Sequence, residues 1–192
     1  MRMGILLSIA LCAGLVTSAA AAPTMTMKGH KSLSFEADAD SPVILFGWNV
    51  ADMTKFNIGA GLAGVTPGAP DGVDVDTQTS WAIQGGVSRY LGGISNNIFA
   101  PMIGASIRVN GSGDYTDEVT STTYSQGTGY EFRGYFGVEA FVIDNLSIGG
   151  NVGLSYIKAG EETEETPTLS TTTDGASAYA TSSSAILATI YW

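Results

Sequence analysis

The feature that most constrains the fold of this chain is a period-two alternation of apolar and polar residues in many short runs. Leu146–Lys158 carries apolar or aromatic side chains at nearly every second position, with serine, asparagine and glycine between them. Ile186–Trp192 alternates in the same way and ends on an aromatic residue. Successive side chains of a strand point to opposite faces, so each run predicts a β-strand with two different faces.

The first 21 residues have the features of a cleaved secretory signal peptide, which leaves residues 22–192 as one domain. Arg2 gives a basic start, Gly4–Val16 is apolar, and Ala20–Ala22 supplies small residues for cleavage. The apolar run is shorter than the roughly 20 residues of a membrane-spanning helix. Cys12 lies within this segment, so we expect no thiol or disulfide chemistry in the mature chain.

Eight alternating segments can be placed along the mature chain, which predicts a barrel with an even number of strands. Tilted strands of about ten residues cross a bilayer, and bacterial single-chain barrels have even strand numbers. The predicted fold is therefore all-β, an eight-stranded antiparallel transmembrane up-and-down β-barrel. Its strands are Lys31–Ala37, Val43–Val50, Lys55–Val65, Thr79–Leu91, Asn97–Asn110, Tyr130–Val142, Leu146–Lys158 and Ala178–Trp192.

The connections between these segments alternate in length. Short periplasmic turns and long exterior loops are typical of outer-membrane barrels. The short turns are Ala51–Thr54, Gly92–Asn96 and Ile143–Asn145, and the long polar loops are Thr66–Thr77, Gly111–Thr128 and Ala159–Gly175.

Outward aromatic residues fall near both ends of the predicted strands, as interfacial aromatic belts require. A soluble β-sandwich gives no reason for such sorting. Near the short turns or the C-terminus lie Trp48, Phe56, Phe99 and Trp192, and near the long loops lie Trp81, Phe132 and Tyr156.

The hairpin Phe136–Tyr156 and the strand ending in Trp192 resemble the small bacterial outer-membrane β-barrel family, which includes the OmpA, OmpX, OmpW and opacity-protein types. The resemblance implies a barrel in the bacterial outer membrane, in contact with its lipids. It also implies that Ile186, Ile190 and Trp192 form a C-terminal signal for the outer-membrane assembly machinery. This family is functionally mixed, so the resemblance implies no mechanism.

Charged residues on inward strand faces are the candidate functional residues of the barrel. An eight-stranded barrel is just wide enough to be filled by its own side chains. Because unpaired charges in so narrow a lumen are costly, we predict a paired network that plugs it. A charged gate for ions or small solutes is the alternative. The residues are Lys55, Arg108, Glu131, Arg133 and Glu139.

The long loops are acidic and contain no lysine or arginine. The formal charge is -10, or -11 once Arg2 is removed, which argues against nucleic acid as a partner. Solubility and repulsion between barrels explain these carboxylates most simply, with an extracellular partner or divalent cations as functional alternatives. Asp71–Asp76 lacks the glycine and distal glutamate of an EF-hand loop, so no metal site is predicted.

Catalysis and cofactor binding are not predicted. The only histidine, His30, lies at the start of the barrel with no assignable catalytic partner. Gly59–Gly64 matches a dinucleotide-binding pattern, but it lies in a strand with no helix to hold a pyrophosphate. The first functional hypothesis is a structural or surface-interaction barrel that acts through acidic exterior loops. A narrow pore for small solutes or ions is the alternative, and a soluble periplasmic barrel is the third.

Overall fold

The computed structural model describes residues 26–37, 42–65, 78–92, 98–117 and 121–192. The predicted signal peptide, the loop Thr66–Thr77 and all but the first residue of the turn Gly92–Asn96 lie outside these ranges. The boundary between signal and mature chain therefore stays a prediction. No helix among the described residues is long and apolar enough to cross a membrane.

Twelve strands run through the described residues. They are β1 (Lys31–Ala37), β2 (Val43–Ala51), β3 (Thr54–Val65), β4 (Gln78–Tyr90), β5 (Phe99–Ser112), β6 (Tyr115–Asp117), β7 (Thr122–Gln126), β8 (Gly129–Ile143), β9 (Leu146–Lys158), β10 (Glu162–Glu165), β11 (Ser170–Thr173) and β12 (Ser177–Tyr191). Eight of them close into an antiparallel barrel in the order β1-β12-β9-β8-β5-β4-β3-β2. The predicted fold class is confirmed, and each predicted strand end lies within two residues of the observed one.

The barrel is closed by pairing between β1 and β12. The register runs from Ser32 opposite Tyr191 to Ala37 opposite Ile186. Beyond it, the backbone N–H of Lys31 donates to the carbonyl of Trp192 at 2.9 Å, and the N–H of Trp192 donates to the carbonyl of Lys31 at 3.0 Å. The predicted first strand, Lys31–Ala37, is thus confirmed, and it pairs with both β12 and β2.

The barrel has an apolar exterior and a largely polar interior. Leu62, Leu154 and Ile186 are 73%, 69% and 64% exposed, and they belong to a wall of outward apolar side chains on all eight strands. So large an apolar surface suits lipid rather than water. The thirteen residues of β4 extend about 44 Å, or about 34 Å along the axis at a tilt of about 40°. That length is sufficient to cross an apolar band of about 25 Å.

A second sheet extends from the end of the barrel where the long connections lie. Its strand order is β11-β10-β7-β6, which continues the order β12-β9-β8-β5 of the barrel wall. The N–H of Ala159 donates to the carbonyl of Ala176 at 2.9 Å, so pairing carries on from the β9–β12 pair into the β10–β11 pair. The segments Gly111–Thr128 and Ala159–Gly175, predicted as long polar loops, are therefore partly β-strand. The threonines and tyrosines of these segments favour extended structure. The paired barrel strands next to them bring these segments side by side.

Candidate functional site

The end of the lumen near the short turns contains a buried cluster built around Glu139. Lys55 Nζ donates to Glu139 Oε1 at 2.9 Å, and both side chains are almost fully buried. The Tyr90 hydroxyl donates to the same oxygen at 3.0 Å, while Ser147 Oγ donates to Oε2 at 2.9 Å. The Tyr191 hydroxyl also donates to Oε2. We call these five residues the short-turn cluster. Its members come from five strands, which it ties together across the lumen.

The middle of the lumen contains a second cluster, organised by Glu36. Arg133 Nη1 lies 3.2 Å from Glu36 Oε1, and Gln84 Nε2 donates to Oε2 at 3.0 Å. Gln84 in turn accepts from Arg108 Nε at 2.9 Å. Arg133 also donates to Asn151 Oδ1. These five side chains, named the central cluster, link β1, β4, β5, β8 and β9.

Little space remains between the two clusters. A cavity of about 20 Å³ is lined by Glu36 and Lys55, one from each cluster, and by Met102, Tyr135 and Leu187 among others. That volume has room for about one water molecule. Eight-stranded barrels are narrow enough for side chains alone to fill them.

The segment before β1 packs against the β2–β3 turn. Thr26 is fully buried, and its carbonyl accepts from the N–H of Met53 at 2.7 Å. The N–H of Gly29 donates to the carbonyl of Asn49 at 2.9 Å, and Asn49 Nδ2 donates to the carbonyl of Met27 at 3.2 Å. These contacts hold the segment against the end of β2 and the β2–β3 turn.

The structure distributes the predicted lumen residues over different levels of the barrel. Lys55 and Glu139 lie in the short-turn cluster, and Arg108 and Arg133 lie in the central cluster. Glu131 is half-buried nearer the long connections, opposite Arg108 in the register, and it accepts from Ser155 Oγ at 2.6 Å. The role of these charges as a plug or a gate stays a prediction.

Sequence reasoning missed Glu36, the carboxylate of the central cluster. It is 3% exposed and lies in β1, whose faces were not assigned. The signal is present in the sequence, because Leu33 and Phe35 alternate with Ser32, Ser34 and Glu36. Leu33 and Phe35 are indeed outward, at 45% and 49% exposure.

The C-terminal residues predicted as an assembly signal lie on the lipid-facing side of β12. Ile186, Ile190 and Trp192 are 64%, 52% and 56% exposed. The rings of Trp192 and Phe46 are 6.2 Å apart, at the end of the barrel near the short turns. At the opposite end, the Tyr156 ring lies 6.5 Å from Phe132 and 5.1 Å from Tyr179. Aromatic side chains thus lie at both ends of the apolar wall, as at two membrane interfaces.

Within the described ranges, no three histidine, cysteine, aspartate or glutamate side chains are grouped so that they could hold a metal ion. Asp71–Asp76 lies outside those ranges.

Comparison with known proteins gives a fold-level likeness only. No family model matches the sequence, and no curated protein matches it. The barrel is similar to the crystal structure of Neisserial surface protein A, with a TM-score of 0.47 and 14% identity over 84% of this chain and 92% of that chain. The closed eight-stranded register and the apolar wall with aromatic ends are observed in this chain itself. The chain has the fold of a small outer-membrane β-barrel. Its specific type within that broad class stays a prediction.

Proposed function

We propose that this protein is an integral barrel of the bacterial outer membrane with a sealed lumen, and that its role is structural or surface-interacting. The observation that supports the proposal is the burial of the side chains of the short-turn and central clusters inside the barrel, with a cavity of about 20 Å³ between them. A barrel whose interior is occupied offers its exterior end and its lipid-facing wall for function.

The acidic segments at the exterior end support a role at the surface. Glu161, Glu162, Glu164, Glu165 and Asp174 are all exposed on or beside β10 and β11. The partners we propose are an extracellular ligand or divalent cations at these carboxylates and outer-membrane lipids along the apolar wall. The assembly machinery is proposed to bind at Ile186, Ile190 and Trp192. We propose no catalytic activity.

Removal of the hairpin Glu161–Asp174 tests the surface role. The variant joins Gly160 to Gly175, and heat-dependent gel mobility verifies that the barrel still folds. We expect the folded variant to lose adhesion or binding in cell-surface assays. A matched control replaces the four glutamates by glutamine and keeps the hairpin, which separates charge from shape. Unchanged behaviour of the deletion variant in every surface assay would contradict the proposal.

A narrow pore is the second candidate, and the polar lining of the lumen favours it. The cavity between the clusters is bordered by Ser34, Asn57, Ser88, Ser106 and other polar side chains. A small rearrangement of the ion pairs would join such polar surfaces into a path for ions. Conductance of the folded barrel separates this candidate from the first.

A further inference from the structure

The strand β11 forms an open edge of the second sheet, β11-β10-β7-β6, which we call the exterior sheet. It pairs with β10 on one side, and no described strand pairs with it on the other. All four of its residues, Ser170–Thr173, are exposed. Unpaired backbone groups on an edge strand are a template for another strand.

The hydrogen-bond pattern of the β10–β11 hairpin shows which groups point to this open edge. Thr166 and Leu169 exchange N–H to carbonyl bonds of 2.8 and 3.4 Å at the turn. Hydrogen-bonded and non-bonded pairs alternate along an antiparallel ladder. Thr171 and Thr173 therefore bond to β10, whereas Ser170 and Thr172 direct their N–H and carbonyl groups outward.

The open edge continues below β11 into the barrel wall. β12 pairs with β9 from Ser177 onward, but its pairing with β1 starts only at Ile186. Among the described residues, Ser177–Thr181 thus has no partner strand on the β1 side. The two edges lie on the same side of the pairing, because β11 and β12 follow one another in the chain and pair with β10 and β9 respectively.

This edge lacks most features that protect edge strands from pairing. Natural edges are blocked by lysine, proline, bulges or inward charges. Ser170–Thr173 contains no charged residue and no proline, and the β10–β11 register has no irregularity. Threonine also has a high preference for strands. Within the described residues, the feature that still protects this edge is the shortness of β11.

We propose that the open edge of β11 binds an extended, basic polypeptide segment as an added β-strand. This inference rests on the proposed surface role and names its partner class. Residues 159–192 carry five carboxylates and no lysine or arginine. An added strand would lie roughly 10 Å from β10. Lysine side chains on it can reach Glu162 and Glu164, which share one face of β10.

Backbone pairing supplies affinity in such strand addition, and side chains select the partner. The test therefore changes the two contributions separately. The full mature chain, folded in zwitterionic micelles, is titrated with an eight-residue peptide of alternating lysine and threonine. A second peptide has N-methyl groups on every backbone nitrogen, which blocks both of its edges, and a third has glutamate in place of lysine. We expect saturable binding of the first peptide only.

Variants of the protein locate the site. Thr172→Pro removes an outward N–H, whereas Thr172→Val keeps it, so we expect loss of binding in the first variant and retention in the second. Glu162→Gln with Glu164→Gln should weaken binding roughly 3- to 10-fold at low salt, in keeping with exposed ion pairs. Asp144→Asn, an exposed acidic site at the opposite end of the barrel, should change nothing.

The outcomes separate this inference from the proposed function. Equal binding of the N-methylated peptide, or of the Thr172→Pro variant, would overturn strand addition. Self-association of the protein that Thr172→Pro abolishes, with no peptide bound, would overturn the basic partner and assign the edge to a second copy. If surface adhesion depends on Glu161–Asp174 but no peptide binds, the inference fails and the proposed function stands. Peptide binding without any surface phenotype would support the edge site and contradict the surface role.

Discussion

Lys55 and Glu139 are 84 residues apart in the sequence, yet Lys55 Nζ lies 2.9 Å from Glu139 Oε1 inside the barrel. The pair joins β3 to β8 across the lumen, and hydroxyl groups from Tyr90 and Tyr191 complete its surroundings. Such a pair is stable only while both charges and their hydrogen bonds are present. The pair therefore links two strands of the barrel wall across the lumen.

Loss of one partner of this pair should destabilise the barrel strongly. Lys55→Met leaves a buried carboxylate without its cation, at an expected cost of about 3 kcal/mol in the free energy of unfolding. Lys55→Met with Glu139→Gln should recover part of that loss because no charge remains buried. Urea unfolding in lipid vesicles measures both variants. Additive losses in the double variant would show that the two side chains are not coupled.

The central cluster makes a second stability prediction. Glu36 accepts hydrogen bonds from Arg133 and from Gln84, and Gln84 in turn accepts one from Arg108. Glu36→Gln removes the negative charge that pairs with Arg133, and we expect a loss of about 1–3 kcal/mol. Glu164→Gln on the exposed exterior sheet is the control and should change stability by less than about 0.5 kcal/mol. Equal effects of the two variants in vesicle unfolding would contradict the assigned roles.

Two glycines on neighbouring strands should respond oppositely to the same substitution. A Cβ at Gly153 would collide with the carbonyl oxygen of Gly134 and crowd Tyr135, whereas a Cβ at Gly134 meets no atom within 4 Å. Gly153→Ala is therefore expected to cost about 1–3 kcal/mol, and Gly134→Ala to be neutral or slightly stabilising. Unfolding midpoints of the two variants check this. A neutral Gly153→Ala would show that the β8–β9 spacing is looser than described.

Trp192 should matter more for assembly in cells than for the stability of the folded barrel. Its exposed ring lies 6.2 Å from the ring of Phe46, so Trp192→Ala is expected to cost about 1 kcal/mol in vesicles. If the C-terminal strand is an assembly signal, the same variant should sharply lower the folded fraction in cells. Trp81→Ala, near the opposite end of the barrel, is the control. Similar folded fractions for both variants would argue against the signal.

Much of the barrel could be predicted because its constraint is local. Alternation in Leu146–Lys158 and Ile186–Trp192 determines which side chains face lipid, and one wrong register would reverse both faces. The partners of the lumen charges could not be predicted in this way. The pairing of Lys55 with Glu139, and of Glu36 with Arg133, depends on how eight strands are staggered around the barrel. The exterior sheet was missed because its short polar strands have no apolar face. Their pairing depends on the adjacent barrel strands β12, β9, β8 and β5.

Single-channel conductance of the purified, folded mature protein in a planar bilayer tests the sealed lumen most directly. The account predicts no discrete conductance steps from the wild-type barrel. Heat-dependent gel mobility of protein recovered from the same membranes verifies that folded barrels are present, so that the absence of steps is informative. Reproducible wild-type steps whose ion selectivity changes in Arg108 or Arg133 variants would contradict the account and make this barrel a pore.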